Sequence, residues 1–516
     1  MILVMLYINN QHTTSIAFTK KSTKPNVIII GIDALRPDYV KFYNHKTNNM
    51  PKLSNFLTQA TVFMSSMTPQ AQTSPAWESI LTGQYPKHDG IRFVFAPSKQ
   101  LDTRNTLANI LHAQHYTTIF STDDWRFIAI TKRFGFDYII GANSKVENFL
   151  LGTLNDFPLT NLLINTRLGA ILFPYSYANR AAYWTYQPGT YLTLLKNRLR
   201  QIKNRPVFLC VHLCLSHWPY LWDDPLGATS ASVNNLEYIY DAATKRADLQ
   251  FANLIKLLQQ ENLLENAILV VMSDHGEALL LPGDRLISKK KYIAGKFSHA
   301  NIMQTMIAAP NAANKLNTSH GHGNDVLSPS QLYNVLAFHF YGKQFTNTPR
   351  KIFAATSLID IKPTILDILN IHCAPSNMDG KTLAPYITST KLDSNQPRML
   401  FTDSGFAPIA TLDEQLSIAK VLIQSLNFFK INPATGDITI NPNTAPKIIL
   451  NTQKALYYGN WILAFYPTTK QKFITILANK KTGAWTDDLS TSFAQNAPLK
   501  KMLTAMQKFY GKELVA

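Results

Sequence analysis

Six side chains in this sequence have the types and placements needed to handle an anionic ester. Asp33 closes the run NVIIIGID, and Asp274 closes AILVVMSD with His275 directly behind it. Thr73 opens TSPAWESILTG, His217 lies just past PVFLCVHL, and His322 stands in SHGHGND. Two carboxylates, an imidazole and a hydroxyl form a hard oxygen and nitrogen donor set without sulfur. Such a set suits one divalent cation, Zn²⁺ or Mn²⁺, with Ca²⁺ or Mg²⁺ as alternatives. A cation bound at the Thr73 oxygen lowers the pKa of the hydroxyl and exposes an alkoxide. The alkoxide attacks a phosphorus or sulfur centre in line, and the covalent threonyl intermediate passes to water or to an acceptor alcohol. His217 or His322 protonates the leaving oxygen.

These residues need elements that bring them together. NVIIIGID, PVFLCVHL and AILVVMSD are unbroken apolar, β-branched-rich runs, as expected for strands buried on both faces of a parallel sheet, and TTIFST (117–122) is a further strand. Helical periodicity covers 50–60, with Leu53, Phe56 and Leu57 on one face, then 107–113 and 238–260. The alternation predicts an α/β fold, in which ligands bind beyond the carboxyl ends of the strands. Around Thr73, Pro75 favours a helix start, Ser74 is the expected N-cap, Glu78 suits the positive end of the helix dipole, and Gly83 is the expected stop. Thr73 is thus expected just ahead of a helix N-terminus, with unpaired amides near it.

The rest of the chain frames this core. Residues 1–25 read as a leader, expected to be membrane-proximal, and MILVMLYI alone is too short to span a bilayer. Residues 140–200 read as an insertion or cap, and 278–318 as an irregular, basic surface insertion. A short helix is expected over 360–370 with Asp360 as N-cap. A polar stretch near 388–398 divides a 26–390 catalytic domain from a 391–516 subdomain of short strands and a closing helix, 497–511. A net charge of +18 favours anionic substrates or an anionic surface. No nucleic-acid-binding signature accompanies it, so nucleic acid is not an expected partner. The three cysteines, Cys210, Cys214 and Cys373, suggest neither a disulfide framework nor a zinc knuckle.

Taken together and in order, these motifs resemble the sulfatase and alkaline-phosphatase superfamily. NVIIIGIDALRPD resembles its opening strand, TSPAWESILTGQYPKHDG its nucleophile segment, SDHGE its second metal motif and HLCLSHWPY its substrate segment. SLIDIKPTILDILNI with MDGKTLAPYI resembles the stretch closing the large domain, and YYGNWILAFYP the C-terminal subdomain. The resemblance implies a large, mostly parallel sheet sandwiched by helices with a smaller α+β subdomain. It implies Asp33, Asp274 and His275 as metal ligands, Thr73 as nucleophile and ligand, and His217 and His322 as contacts to the substrate anion, with His320 as a weaker candidate. Four positions depart from the sulfatase pattern: Thr73 replaces the Cys or Ser that becomes formylglycine, Trp77 the supporting Arg, Ala34 the second acid of the opening pair, and His275 an Asn. They resemble the branch with Thr nucleophiles, which acts on phosphodiesters or transfers phosphoglycerol and phosphoethanolamine. Leu213 stands where a second metal would need an Asp, so one cation is expected. The expected function is phosphoester hydrolysis or transfer on a lipid or glycan head group at the cell envelope, in the periplasm or on the outer face of an inner membrane. The alternatives are a sulfatase lacking formylglycine and a non-catalytic binding protein.

Overall fold

The computed structural model describes residues 24–44, 48–96, 103–125, 128–141, 188–202, 206–218, 236–295, 316–343, 348–372, 378–388, 397–405, 438–467 and 473–514, with isolated residues around 159–172, 220, 345 and 419–433. Most of the leader, much of the 140–200 segment, residues 296–315 and the 389–396 boundary lie outside the described residues.

Ten strands belong to the first part of the chain: β1 (Asn26–Ile32), β2 (Thr61–Met67), β3 (Thr117–Thr122), β4 (Tyr138–Ile140), β5 (Val207–Leu213), β6 (Ala267–Ser273), β7 (Ala278–Leu279), β8 (His320–Gly321), β9 (Leu336–Tyr341) and β10 (Arg350–Ser357). Eight of them form one sheet in the order β10-β2-β9-β6-β1-β5-β3-β4. Only β9 runs antiparallel, wedged between β2 and β6. The remaining two, β7 and β8, pair as a short ribbon.

The alternation of side chains along the central strands feeds two cores. Val27, Ile29, Phe208, Cys210, Ile268 and Val270 pack on one face with Trp77, Ile80, Leu107, Leu111, Ile361 and Ile365. Ile28, Ile30, Leu209, Val211, Leu269 and Val271 pack on the other with Leu53, Leu57, Leu195, Leu254 and Leu258. Each such aliphatic side chain contributes about 1.5–3 kcal/mol on burial. The helices behind these contacts are Pro51–Leu57, Thr73–Thr82, Leu107–Ala113, Pro188–Leu199, Leu236–Gln260 and Ile361–Ile368.

The C-terminal part holds β11 (Met399–Asp403), β12 (Phe429–Ile431), β13 (Ile438–Ile440), β14 (Lys454–Tyr458), β15 (Trp461–Pro467), β16 (Phe473–Asn479) and β17 (Trp485–Thr486). Five of these make an antiparallel sheet, β11-β14-β15-β16-β17. One face packs under Met502, Met506 and Tyr510 of the Leu499–Tyr510 helix. The other packs on Ile287, Leu316, Val326, Leu327 and Leu332 of the larger domain.

Several details differ from the sequence reading. Thr73 is the first residue of its helix and Gln72 the N-cap, while Gly83 closes it in the left-handed conformation. Glu78 is fully buried rather than set against the helix dipole in solvent, and burial raises its pKa well above the ordinary value. Asp360 caps through its position, but its carboxylate instead takes both guanidinium nitrogens of Arg398. The described part of 278–318 is not a loose insertion, since Asp284, Arg285 and Ile287 are buried.

Candidate active site

The register of the sheet assembles the cluster. Ile32 lies level with Leu213 on one side and Ser273 on the other. The next residue on each strand therefore projects from one edge: Asp33, Cys214 and Asp274. Ala34 adopts a left-handed backbone, φ 54°, and its N–H donates to Asp274 Oδ1 at 3.3 Å. The His275 N–H donates to the same oxygen at 2.9 Å. With Oδ1 so held, Asp274 Oδ2 turns into the cluster, 3.4 Å from His212 Nε2 and 3.7 Å from His275 Nε2. Among the described residues it has no hydrogen bond of ordinary geometry.

His275 is oriented by its own neighbour. Its Nδ1–H donates to the Gly276 carbonyl at 2.9 Å, which leaves the lone pair on Nε2. That nitrogen lies 3.4 Å from Asp33 Oδ1 and 3.5 Å from Thr73 Oγ1. Burial pulls the His275 pKa down to about 4, so the ring is neutral near pH 7. A neutral lone pair facing two carboxylates in a dry site is electrostatically unfavourable unless a positive charge sits between them. Donor atoms of Asp33, Asp274 and His275 all lie within 4.8 Å of one another. This set, with the Thr73 hydroxyl beside it, fits a divalent cation in number, hardness and orientation.

Three imidazoles stack outward from this point. His322 lies over His275 with ring centroids 4.4 Å apart and an interplanar angle of 27°. His217 meets His322 edge-on at 5.0 Å. His322 Nδ1 is 2.8 Å from Glu277 Oε2. Burial opposes charge on both groups, but their mutual attraction wins: Glu277 is held below the usual carboxylate range and His322 above the usual imidazole range. The His217 Nδ1–H donates to the Trp218 carbonyl at 2.7 Å. The structure thus brings together Asp33, Thr73, Asp274, His275, His217 and His322. It does not bring His320 to them. That residue is exposed on β8, and among the described residues no contact joins its ring to the cluster.

Two neighbours, Glu277 and His212, escaped the sequence reading, and a third, Trp77, was read only as a departure from the sulfatase pattern. Glu277 sits in the SDHGE motif without a role assigned to it there. His212 ends the apolar β5 run, with its Nε2 3.7 Å from Asp33 Oδ2, and forms with Asp33 and Cys214 a second group of donor atoms within 4.8 Å of one another. The one available signal was a histidine and a cysteine flanking Leu213 at a strand end. Trp77 closes the cluster from below: its ring meets His212 edge-on at 5.5 Å, and a Cβ at Gly31 would lie 2.5 Å from it.

Comparison with known proteins places the fold. The family profile described as Sulfatase matches residues 25–371. No curated protein matches the chain. A phosphonate monoester hydrolase of Agrobacterium radiobacter superposes with a TM-score of 0.58 at 13% identity, covering 95% of this chain and 96% of that one. A phosphonate monoester hydrolase from Silicibacter pomeroyi gives 0.57 at 16% identity, with 95% and 96% covered. A 2-O GAG sulfatase gives 0.54 at 12% identity, with 95% and 92% covered. At these identities the likeness is one of fold.

Proposed function

The chain belongs to the sulfatase family, and from that premise we propose that it is a metal-dependent phosphoester hydrolase or phosphotransferase whose attacking group is the Thr73 hydroxyl. The supporting observation is the 3.5 Å approach of Thr73 Oγ1 to His275 Nε2, where the Asp33 and Asp274 carboxylates converge. In this reading Asp33, Asp274, His275 and Thr73 hold one cation, Zn²⁺ or Mn²⁺. When bound, it supplies Lewis-acid charge that makes the threonine hydroxyl acidic.

The protein's own groups do the rest. Thr73 Oγ1 gives up its proton to solvent and forms the new bond to phosphorus as the bond to the leaving oxygen breaks. His322, whose protonated form Glu277 favours, gives its proton to the leaving oxygen. His217, edge-on to His322, steers the substrate anion. Water or an acceptor alcohol then takes the phosphoryl group from threonine and passes its proton to the now neutral His322, while the freed Thr73 oxygen regains a proton from solvent. His320 remains a candidate for contact at the rim. The net charge of +18 favours an anionic lipid or glycan ester at the cell envelope. Among the described residues no helix is long and apolar enough to cross a membrane.

Thr73 supports the phosphoester reading over sulfate because threonine does not supply the formylglycine that the resemblance associates with sulfate esters. The similarity to a 2-O GAG sulfatase is the observation that favours the second reading, sulfate-ester hydrolysis. A panel of aryl phosphodiester, phosphomonoester, phosphonate and sulfate esters, run with Zn²⁺ and Mn²⁺, separates them. Turnover of the phosphodiester is expected, with Thr73→Ala losing at least ~10³-fold in kcat. Sulfate release in place of phosphoester turnover establishes the second reading, and full activity in Thr73→Ala rejects the nucleophile.

A further inference from the structure

His212 stands at an apolar position of β5. Side chains alternate along a strand, so it shares a face with Phe208 and Cys210, which belong to the core around Trp77. The residue is 1% exposed, and its ring meets Trp77 edge-on at 5.5 Å. Gly31 of β1 and Thr122 of β3 flank it in register. An imidazole in this place carries a desolvation cost that an aliphatic side chain would avoid, unless its nitrogens find partners.

The two nitrogens differ in what they face. Nδ1 has Thr122 Oγ1 and Cys214 Sγ within hydrogen-bond reach, each at 3.5 Å. Nε2 faces two carboxylates, Asp274 Oδ2 at 3.4 Å and Asp33 Oδ2 at 3.7 Å. Among the described residues this nitrogen has no hydrogen bond of ordinary geometry. His275 stands to the same carboxylates at the same two spacings, with its Nε2 3.4 Å from Asp33 Oδ1 and 3.7 Å from Asp274 Oδ2. Asp274 Oδ2 is common to both rings, and each Asp33 oxygen faces one of them. Donors bonded to a single zinc ion at about 2.0–2.2 Å lie roughly 3.0–3.5 Å apart. His212 approaches that spacing as closely as His275 does.

We propose, on the one-cation reading given above, that His212 Nε2 is a further ligand of the same ion as Asp33, Asp274 and His275, and that this second imidazole makes the site prefer Zn²⁺ to Mn²⁺. Imidazole nitrogen suits zinc, whereas manganese favours carboxylate and water oxygens. The site then uses both faces of its carboxylate pair, one imidazole on each.

The test strips the full chain of metal with a chelator and reloads it with one equivalent of Zn²⁺. Zinc-edge X-ray absorption then counts imidazole rings on the ion. Two rings are expected in the parent, one in His212→Gln, one in His275→Gln, and two in His322→Gln. Competition against a chromophoric chelator should show Zn²⁺ held more than 100-fold less tightly by His212→Gln, beyond the about 10–100-fold typical of a residue that only supports the ligands. The ratio of Zn²⁺ to Mn²⁺ affinity should fall at least tenfold in the same variant. Metal-free melting temperatures check that the variants fold. Should His212→Gln not fold, the ring counts of the parent and of His322→Gln decide. A parent that binds no Zn²⁺ rejects the cation reading itself. One bound Zn²⁺ with a single ring, two Zn²⁺ per chain, or parent-like affinity in His212→Gln overturns only the role given to His212.

Discussion

At the scale of single residues, one contact just outside the proposed ligand set joins Glu277 to His322. Glu277 is buried, and its carboxylate is the partner of His322 Nδ1 at 2.8 Å. Glu277→Gln keeps the shape and removes the charge, so His322 loses its electrostatic support while the Asp33, Asp274 and His275 set stays intact. Steady-state kinetics should show kcat lower by about 10–100-fold with KM little changed, the usual scale for a supporting carboxylate. A parent-like kcat removes His322 from the proton path. This pair also marks the limit of reading residues from the sequence. Asp33, Thr73, Asp274 and His275 were legible because each stands at a boundary, where an apolar run or a helix begins or ends. Glu277 and His212 were not. One ends the SDHGE motif with nothing in the sequence to say that the fold turns it inward, and the other looks like an ordinary member of a buried strand until its ring is seen against Asp33 and Asp274.

At the scale of elements, the helix that carries Thr73 rests on buried acids. Asp89 accepts from Ile91 N–H at 2.8 Å and from the Thr82 hydroxyl at 3.3 Å. Burial raises its pKa from the ordinary 3.8 to about 8, and Glu78 is raised well above its ordinary value beside it. In the pH range between those two values for Asp89 the folded chain holds a proton that the unfolded chain has released. Stability therefore declines as pH rises from about 4 to about 8, and the whole contribution is gone above the folded pKa. Melting curves from pH 5 to 9 should show this decline, and Asp89→Asn should flatten it. A parent slope equal to that of the variant rejects the assignment. The central strands were readable because β1, β5 and β6 are apolar throughout. β2, β9 and β10 were missed: TVFMSSM mixes polar residues into the run, LAFHFY is short and contains a histidine, and RKIFAATS opens on two cations. Such edge-side and antiparallel strands are fixed by their neighbours more than by their own composition.

At the scale of the whole molecule, the C-terminal sheet is fastened to the segment that follows the Thr73–Thr82 helix. Arg92 reaches Asp403 at 2.6 Å and Glu513 at 3.1 Å, and Glu513 also takes Lys87 at 2.8 Å. Arg92 and Asp403 are both buried, so removing the cation strands a carboxylate away from water. Arg92→Ala should cost about 3–5 kcal/mol in denaturant unfolding. Loss of less than about 1 kcal/mol would mean that the apolar contacts alone hold the two parts together. Cation binding should act on the same scale, because a ligand of the folded state alone raises the melting temperature with concentration. Zn²⁺ or Mn²⁺ should raise it in the parent and much less in an Asp274→Asn variant. Equal shifts in the two would place the ion elsewhere.

The neighbours of β1 come from far along the chain, with Ile32 beside both Leu213 and Ser273. Thr73 leaves the ribosome long before Asp274 and His275 do. Throughout most of synthesis the nascent chain therefore carries Thr73 without the partners that the proposed reaction needs, and the cluster is complete only once β6 has joined the sheet.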